Sequence, residues 1–191
     1  MKTLIFNGSP HANGDTAAMI RTLSAGLPGV VETVDAYRTD IRPCIDCRHC
    51  WKTPGCIFDD GMHDLLHRIA DADCIIIASP VYYSMLTGPL LSLLSRLQVL
   101  YTAGRFHGVR LITRPKVGAV LLSAGGNGSP APAEEIAVGL LRCMHATHVG
   151  TVCAAATDTT PAADDTTAMA ALHALCRDLI AAHEEFQQNP Q

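Results

Sequence analysis

Aromatic residues are scarce in this chain: Phe, Trp and Tyr together make up 5% of 191 residues, with a single Trp. A core must therefore be assembled mainly from Ala, Val, Leu and Ile, within an apolar fraction of 48%. Runs of positive charge are also lacking, and the net charge is −4 with a pI near 6.1. This argues against a nucleic-acid binder, because phosphate backbones are held by clustered Lys and Arg. No apolar stretch is long enough to span a bilayer, so no membrane association is expected. The first residues run straight into a strand-like segment, Thr3-Leu4-Ile5-Phe6. They lack the charged start, long apolar stretch and cleavage site of a signal peptide. The expected location is the cytoplasm, where eight cysteines serve as thiols or metal ligands rather than in disulfides. The loop after the first strand-like run is neither a GxGxxG turn nor a lysine-bearing P-loop, which argues against a standard NAD site and an NTPase, and there is no GxSxG elbow for a hydrolase.

What is present is alternation. Strand-like runs at Lys2–Gly8, Val30–Ala36, Cys74–Ala78, Val117–Ser123 and His148–Ala155 alternate with helical patterns. The helices are expected at Ala17–Leu27, Met62–Ala72, Gly88–Tyr101, Ala131–His145 and Asp164–Phe186, with the last residues fraying. Cys74-Ile75-Ile76-Ile77-Ala78 is continuously apolar, as a parallel strand covered on both faces must be. Five strands alternating with five helices imply a doubly wound α/β fold. One domain over residues 1–191 is expected, with a Cys-rich insertion at about 43–60.

In such a fold ligands bind beyond the carboxyl ends of the strands. Three segments fall there. Gly8 through Thr16 offers hydroxyls from Ser9 and Thr16 and an amide from Asn13. Gly8 and Gly14 allow a tight turn, and the next helix presents free N–H groups and a positive dipole end, so this loop suits an anion. Asp15 is read as a cap or brace, since a carboxylate repels phosphate. Ser79-Pro80-Val81-Tyr82-Tyr83-Ser84-Met85 follows the third strand, and at least one of its tyrosines is expected to be a rim residue packed on the next helix. Ser123-Ala124-Gly125-Gly126-Asn127-Gly128-Ser129 follows the fourth, with three glycines that let backbone approach a ligand.

These three segments resemble those of the NADPH-dependent FMN reductase and flavodoxin-like family. The resemblance covers most of the chain and is weakest after about Ala155. It implies a flavodoxin-like three-layer fold with a five-stranded parallel sheet in order 2-1-3-4-5, non-covalent FMN, NAD(P)H as an electron donor, and a homodimer or homotetramer. By the same resemblance Ser9, Pro10, Asn13, Asp15, Thr16 and Ala17 map to the phosphate site. Pro80, Val81, Tyr82, Tyr83, Ser84 and Met85 map to the ring site, and Ser123, Gly125 and Gly126 face the ring from the other side.

Cys44, Cys47, Cys50 and Cys56 form a C-x2-C-x2-C-x5-C run. Four thiolates at this spacing match the ligand count of a [4Fe–4S] cluster. A zinc knuckle and metal-free thiols are the alternatives, although structural zinc more often joins two separated C-x2-C units. The run resembles that of the iron–sulfur flavoprotein branch of the family, in which a cluster exchanges electrons with FMN. Asp59 and Asp60 are read as caps for the next helix. Cys74, Cys143, Cys153 and Cys176 are expected to be structural and buried. His63 and His67, one turn apart, are read as a solvated helix face.

Three functions remain open at this level. The first is an FMN-dependent oxidoreductase or electron-transfer flavoprotein with a cluster. The second is a cluster-free NAD(P)H-dependent FMN or quinone reductase, and the third a non-enzymatic flavodoxin-like carrier. Each exchanges electrons with a small molecule or a protein, and none assigns a catalytic acid or base.

Overall fold

The computed structural model describes residues Met1–Gln188. The last three residues, part of the expected single domain and of its fraying end, lie outside the described residues. Along the chain come β1 (Lys2–Asn7), α1 (Asp15–Gly26), β2 (Val30–Asp35), α2 (His49–Lys52), α3 (Met62–Asp71) and β3 (Cys74–Pro80). They are followed by α4 (Gly88–Leu94), α5 (Gln98–His107), β4 (Lys116–Ala124), α6 (Ala131–Cys143), β5 (Ala146–Ala155) and α7 (Thr166–Gln188). The strands form one sheet in the order β2-β1-β3-β4-β5, with every neighbouring pair parallel. This is the flavodoxin-like architecture the sequence points to.

Side-chain alternation along the strands splits the interior into two layers. Leu4, Phe6, Ile75, Ile77, Val120 and Leu122 face α3, α4 and α6. Ile5, Cys74, Ile76, Ala78, Ala119 and Leu121 face α1 and α7. Consecutive residues of β3 thus bury on opposite sides, which is why that strand is apolar without interruption. Cys74 lies in the second layer, where burial pushes its thiol up to about 12, in keeping with an inert structural role.

Several elements differ from expectation. The single helix expected over Gly88–Tyr101 is broken: α4 ends at Leu94, a 3-10 turn covers Ser95–Leu97, and α5 runs on to His107. The Ser95 hydroxyl donates to the Ser92 carbonyl at 2.6 Å, a local bond that competes with regular helix. The same hydroxyl accepts from the Cys44 backbone N–H at 3.0 Å, so the break is also where the cysteine loop is tied down. The loop itself contains a one-turn helix, α2, which its sequence does not signal. A 3-10 turn at Ala162–Asp164 precedes α7, which starts at Thr166 rather than Asp164. Cys143 is exposed at the end of α6 and Cys153 half-buried in β5, so only Cys74 and Cys176 fit the expected burial.

Candidate functional site

The loops after β1, β3 and β4 leave the sheet at one edge, and hydrogen bonds join them. Thr16 Oγ1 and Ser123 Oγ lie 2.8 Å apart, and both residues are buried. Either hydroxyl can donate. When Ser123 donates, the Thr16 hydrogen is left for an anion. The Val81 N–H donates to the Ser123 carbonyl at 2.8 Å, joining the β3 and β4 loops. The Thr87 hydroxyl donates to the Gly8 carbonyl at 2.8 Å, and the Gly8 N–H to the Ala78 carbonyl at 2.7 Å. Thr87 does not stand out in the sequence, yet it fixes the start of the first loop. A Cβ on Gly8 would meet Leu90 Cδ2 at 2.8 Å and the Ser79 and Thr87 hydroxyl oxygens at 3.0 Å, so only glycine fits there without movement.

The first loop is shaped from within. The Ser9 N–H donates to Asn7 Oδ1 at 3.0 Å and the His11 N–H to Ser9 Oγ at 3.2 Å. Ser9 is buried, Pro10 half-buried and Asn13 exposed. Gly14 is the N-cap of α1 and makes no side-chain cap bond. The first-turn N–H groups therefore have no side-chain acceptor there, and Ala17 is buried just inside this turn. Asp15 turns away: its Oδ1 accepts from the Ala162 N–H at 2.8 Å, which makes it a brace to the turn before α7 rather than a cap. Uncapped N–H groups beside Ser9 and Thr16 fit a phosphate.

In the second loop, Tyr82 and Met85 form a bridge, exchanging backbone hydrogen bonds of 2.9 Å in each direction. The two residues between them, Tyr83 and Ser84, have φ of 51° and 63°. This is a tight hairpin built from two left-handed residues that are not glycine. Tyr83 is 97% exposed, which leaves Tyr82, at 44%, as the tyrosine that can serve as the expected rim residue, and Met85 is exposed too. Pro80 and Val81 are half-buried beneath the hairpin. In the third loop Gly126 is exposed, and a Cβ on Gly125 would run into the Asp158 carboxylate. Asp158, after β5, is a neighbour of this loop that the sequence does not reveal.

Cys44, Cys47, Cys50 and Cys56 all border one small cavity of about 40 Å³. Asp46 and Arg48 adopt φ of 49° and 58°, and Gly55 of 103°, which curls the loop around that cavity. All four thiols are free; Cys50 is half-buried and the other three are exposed. Among the described residues no three His, Cys, Asp or Glu side chains stand close enough to hold a metal ion. The donor set and shared cavity fit a cluster in kind: four soft thiolates on one short, turned loop. His49 is half-buried beside them. His63 and His67 are exposed on α3, with Nε2 atoms 3.2 Å apart.

Asp60 caps less than it clasps. Its Oδ1 accepts from the Met62 N–H at 3.2 Å, but both its oxygens also take bonds from the Arg96 guanidinium, at 2.7 and 3.1 Å. The Arg96 hydrogen bond is the main reason the Asp60 carboxyl is held below its ordinary range, against an opposing push from burial. Burial works against the charge of Arg96, but Asp60 and Cys56 outweigh it and the guanidinium is held more firmly protonated. Arg96, like Thr87 and Asp158, is a residue of this region that sequence reading misses. Its one signal is a charge within Leu90-Leu91-Ser92-Leu93-Leu94-Ser95-Arg96-Leu97, an otherwise uncharged helical run.

A parallel sheet in this order, with three bonded loops at its carboxyl edge and an uncapped helix opening onto them, defines a flavodoxin-like protein suited to a phosphate-bearing ligand. Over residues 1–160 the sequence matches the NADPH-dependent FMN reductase family, and the chain belongs to that family. It is 33% identical over 132 residues to an iron-sulfur flavoprotein of Methanocaldococcus jannaschii, covering 67% of this chain and 65% of that protein. It is 28% identical over 149 residues to an iron-sulfur flavoprotein of Archaeoglobus fulgidus, covering 76% of this chain and 63% of that protein. The chain thus spans somewhat less than two thirds of these relatives' lengths. All of it superposes on 82% of RosB, solved with bound 8-demethyl-8-formylriboflavin-5′-phosphate, with a TM-score of 0.76 at 16% identity. That likeness concerns the fold. No described helix is long and apolar enough to cross a membrane.

Proposed function

We propose that the chain is an FMN-dependent oxidoreductase and that its cysteine loop holds a [4Fe–4S] cluster. The observation that carries the FMN reading is the buried Thr16–Ser123 hydroxyl pair, which binds the phosphate-type loop to the glycine loop at the sheet edge. In this reading Ser9, Asn13, Thr16 and the first N–H groups of α1 hold the phosphate. The Pro80–Met85 turn and the Ser123–Gly126 backbone flank the ring, and Thr87 keeps the first two loops in register. Cys44, Cys47, Cys50 and Cys56 supply the cluster ligands. When bound, the two groups provide electron transfer, with one- or two-electron steps at the flavin and one-electron steps at the cluster. This reading assigns no catalytic acid or base, and the protein contributes binding, orientation and shielding. The proposal extends to NAD(P)H or a reduced protein as donor, a small molecule or protein as acceptor, and a homodimer or homotetramer as assembly. The exposed Tyr82, Tyr83 and Met85 give such an assembly apolar surface at the site.

The test is an absorption spectrum of anaerobically purified protein with flavin, iron and acid-labile sulfide counted per chain. One flavin with four irons and four sulfides is the expected result. Failure to take up added FMN overturns the flavin reading. Flavin without iron or sulfide overturns the cluster, and rapid NAD(P)H oxidation with a quinone by that protein then identifies a cluster-free reductase.

A further inference from the structure

One side chain holds both ends of the cysteine loop. Arg96 projects from the 3-10 turn between α4 and α5, and its side chain is 1% exposed. Nη1 donates to the Arg42 carbonyl at 2.8 Å, before the first cysteine, and to Asp60 Oδ2 at 2.7 Å, after the last. Nη2 donates to Asp60 Oδ1 at 3.1 Å and to Cys56 Sγ at 3.2 Å. The Phe58 ring lies 5.0 Å from its guanidinium carbon, and the Arg42 guanidinium lies 4.1 Å from the centre of the same ring. The Arg96 Nε is buried with no partner.

This is a poor design for stability alone. A buried ion pair recovers its desolvation cost only with good geometry and satisfied donors, and an apolar replacement is often as stable. The unpartnered Nε adds to the cost. What the arrangement does supply is a fixed cation with an N–H aimed at one sulfur. That sulfur belongs to Cys56, the ligand set apart from the other three by a longer gap and by Pro54-Gly55.

We propose that Arg96 is a positioning residue of the metal centre, which fixes Cys56 as the closing ligand and raises the reduction potential of the cluster through its N–H···S hydrogen bond. The inference rests on the cluster reading above. Reduction adds negative charge to the cluster and its thiolates, so a cationic donor on one sulfur favours the reduced state. Asp60 acts the other way, because its carboxylate offsets part of the guanidinium charge. Removing Arg96 and neutralising Asp60 must therefore move the potential in opposite directions. A merely structural clasp would loosen in both variants and move it the same way.

The experiment compares wild type, R96M, R96K and D60N, each purified anaerobically, by iron and sulfide content and by redox titration of the cluster. The expected potential falls in R96M, rises in D60N, and in R96K lies between wild type and R96M. A second readout needs no cluster: in metal-free protein, proteolytic cleavage within residues 43–60 should be about tenfold faster in R96M than in wild type, with partial rescue in R96K. If R96M retains too little iron to titrate, R96K against D60N decides the direction. Shifts of the same sign in the arginine and aspartate variants, or an unchanged potential with unchanged cleavage, overturn the inference while leaving the cluster standing. Wild-type protein without iron and sulfide overturns the cluster reading and the inference together.

Discussion

Thr16 and Ser123 are separated by 107 residues and meet through one buried hydroxyl pair of 2.8 Å. Replacing Thr16 with Val keeps the shape but leaves the Ser123 hydroxyl buried without its partner. T16V should lose about 1–3 kcal/mol of stability, the usual cost of an orphaned buried polar group. The double variant T16V/S123A should lose less than the sum of the single changes, because it removes the orphan as well. Urea denaturation of the four proteins measures this coupling, and additive losses would show that the pair does not interact. At this scale the sequence is legible where the signal is local: Ser9, Asn13 and Thr16 stand in one loop that opens a helix, and the fold brings Thr16 to Ser123. Arg96 was not legible in that way. Its partners Asp60 and Cys56 lie 36 and 40 residues upstream, and a lone arginine in a leucine-rich helix looks like an ordinary surface position. From its neighbours in sequence Asp60 is a helix cap, and the fold supplies the cation that occupies it.

Among the elements, hydrophobic period located all five strands and the long helices, while irregular pieces escaped it. The Tyr82–Met85 hairpin shows why. Two-residue turns of this kind are normally announced by Asn-Gly, and here Tyr83-Ser84 takes the same backbone without that signal. Each left-handed residue of this type costs about 1–2 kcal/mol. The double change Y83N/S84G should therefore raise stability by about 1 kcal/mol, read from thermal or urea unfolding of flavin-free protein. A loss instead would mean that the exposed tyrosine makes contacts in an assembly that outweigh the strain. The first residue of β4 carries a second element-level cost. Lys116 is 1% exposed, and its ammonium donates to the Ala70 and Arg114 carbonyls at 3.1 and 3.2 Å. Burial, helped by the Arg114 charge and opposed by Asp73 and Asp71, pulls its pKa down from 10.5 to about 8. Between these two values the unfolded chain binds more protons than the folded one, so this group's contribution to stability rises with pH across that window and is flat below it. K116M should be about 1–2 kcal/mol more stable than wild type at pH 7, and its advantage should shrink steadily from pH 8 to pH 10.5. Unfolding curves across that range check both sign and window, and an advantage independent of pH would show that Lys116 is not the titrating group.

For the whole molecule, the two faces of the sheet carry different burdens. α3, α4, α5 and α6 cover one face, and the cysteine loop is tied to that side through Ser95 and Arg96. The other face is covered by α1, α7 and Ala162 of the turn leading into α7, and the family match stops at residue 160, before α7 begins. Yet Leu172, Leu175, Cys176 and Leu179 of α7 are buried against Ile76, Ala119 and Leu121 of the sheet, and Asp15 in the phosphate-type loop is held by the turn that leads into this helix. The segment beyond the family match therefore packs over one whole layer of the core. Removing a buried leucine leaves a cavity as well as losing transfer energy, typically about 2–5 kcal/mol. L172A should lose stability in that range, in both the presence and absence of FMN, because Leu172 is fully buried in the layer between α7 and the sheet. Its FMN affinity, measured by fluorescence titration below the unfolding transition, should stay within about twofold of wild type. A chain ending before Thr166 should lose the cooperative unfolding transition altogether, since Ile76, Ala119 and Leu121 would then face water. If that shortened chain instead unfolds cooperatively and still binds FMN, α7 is an accessory cover, and the site stands on the first 160 residues alone.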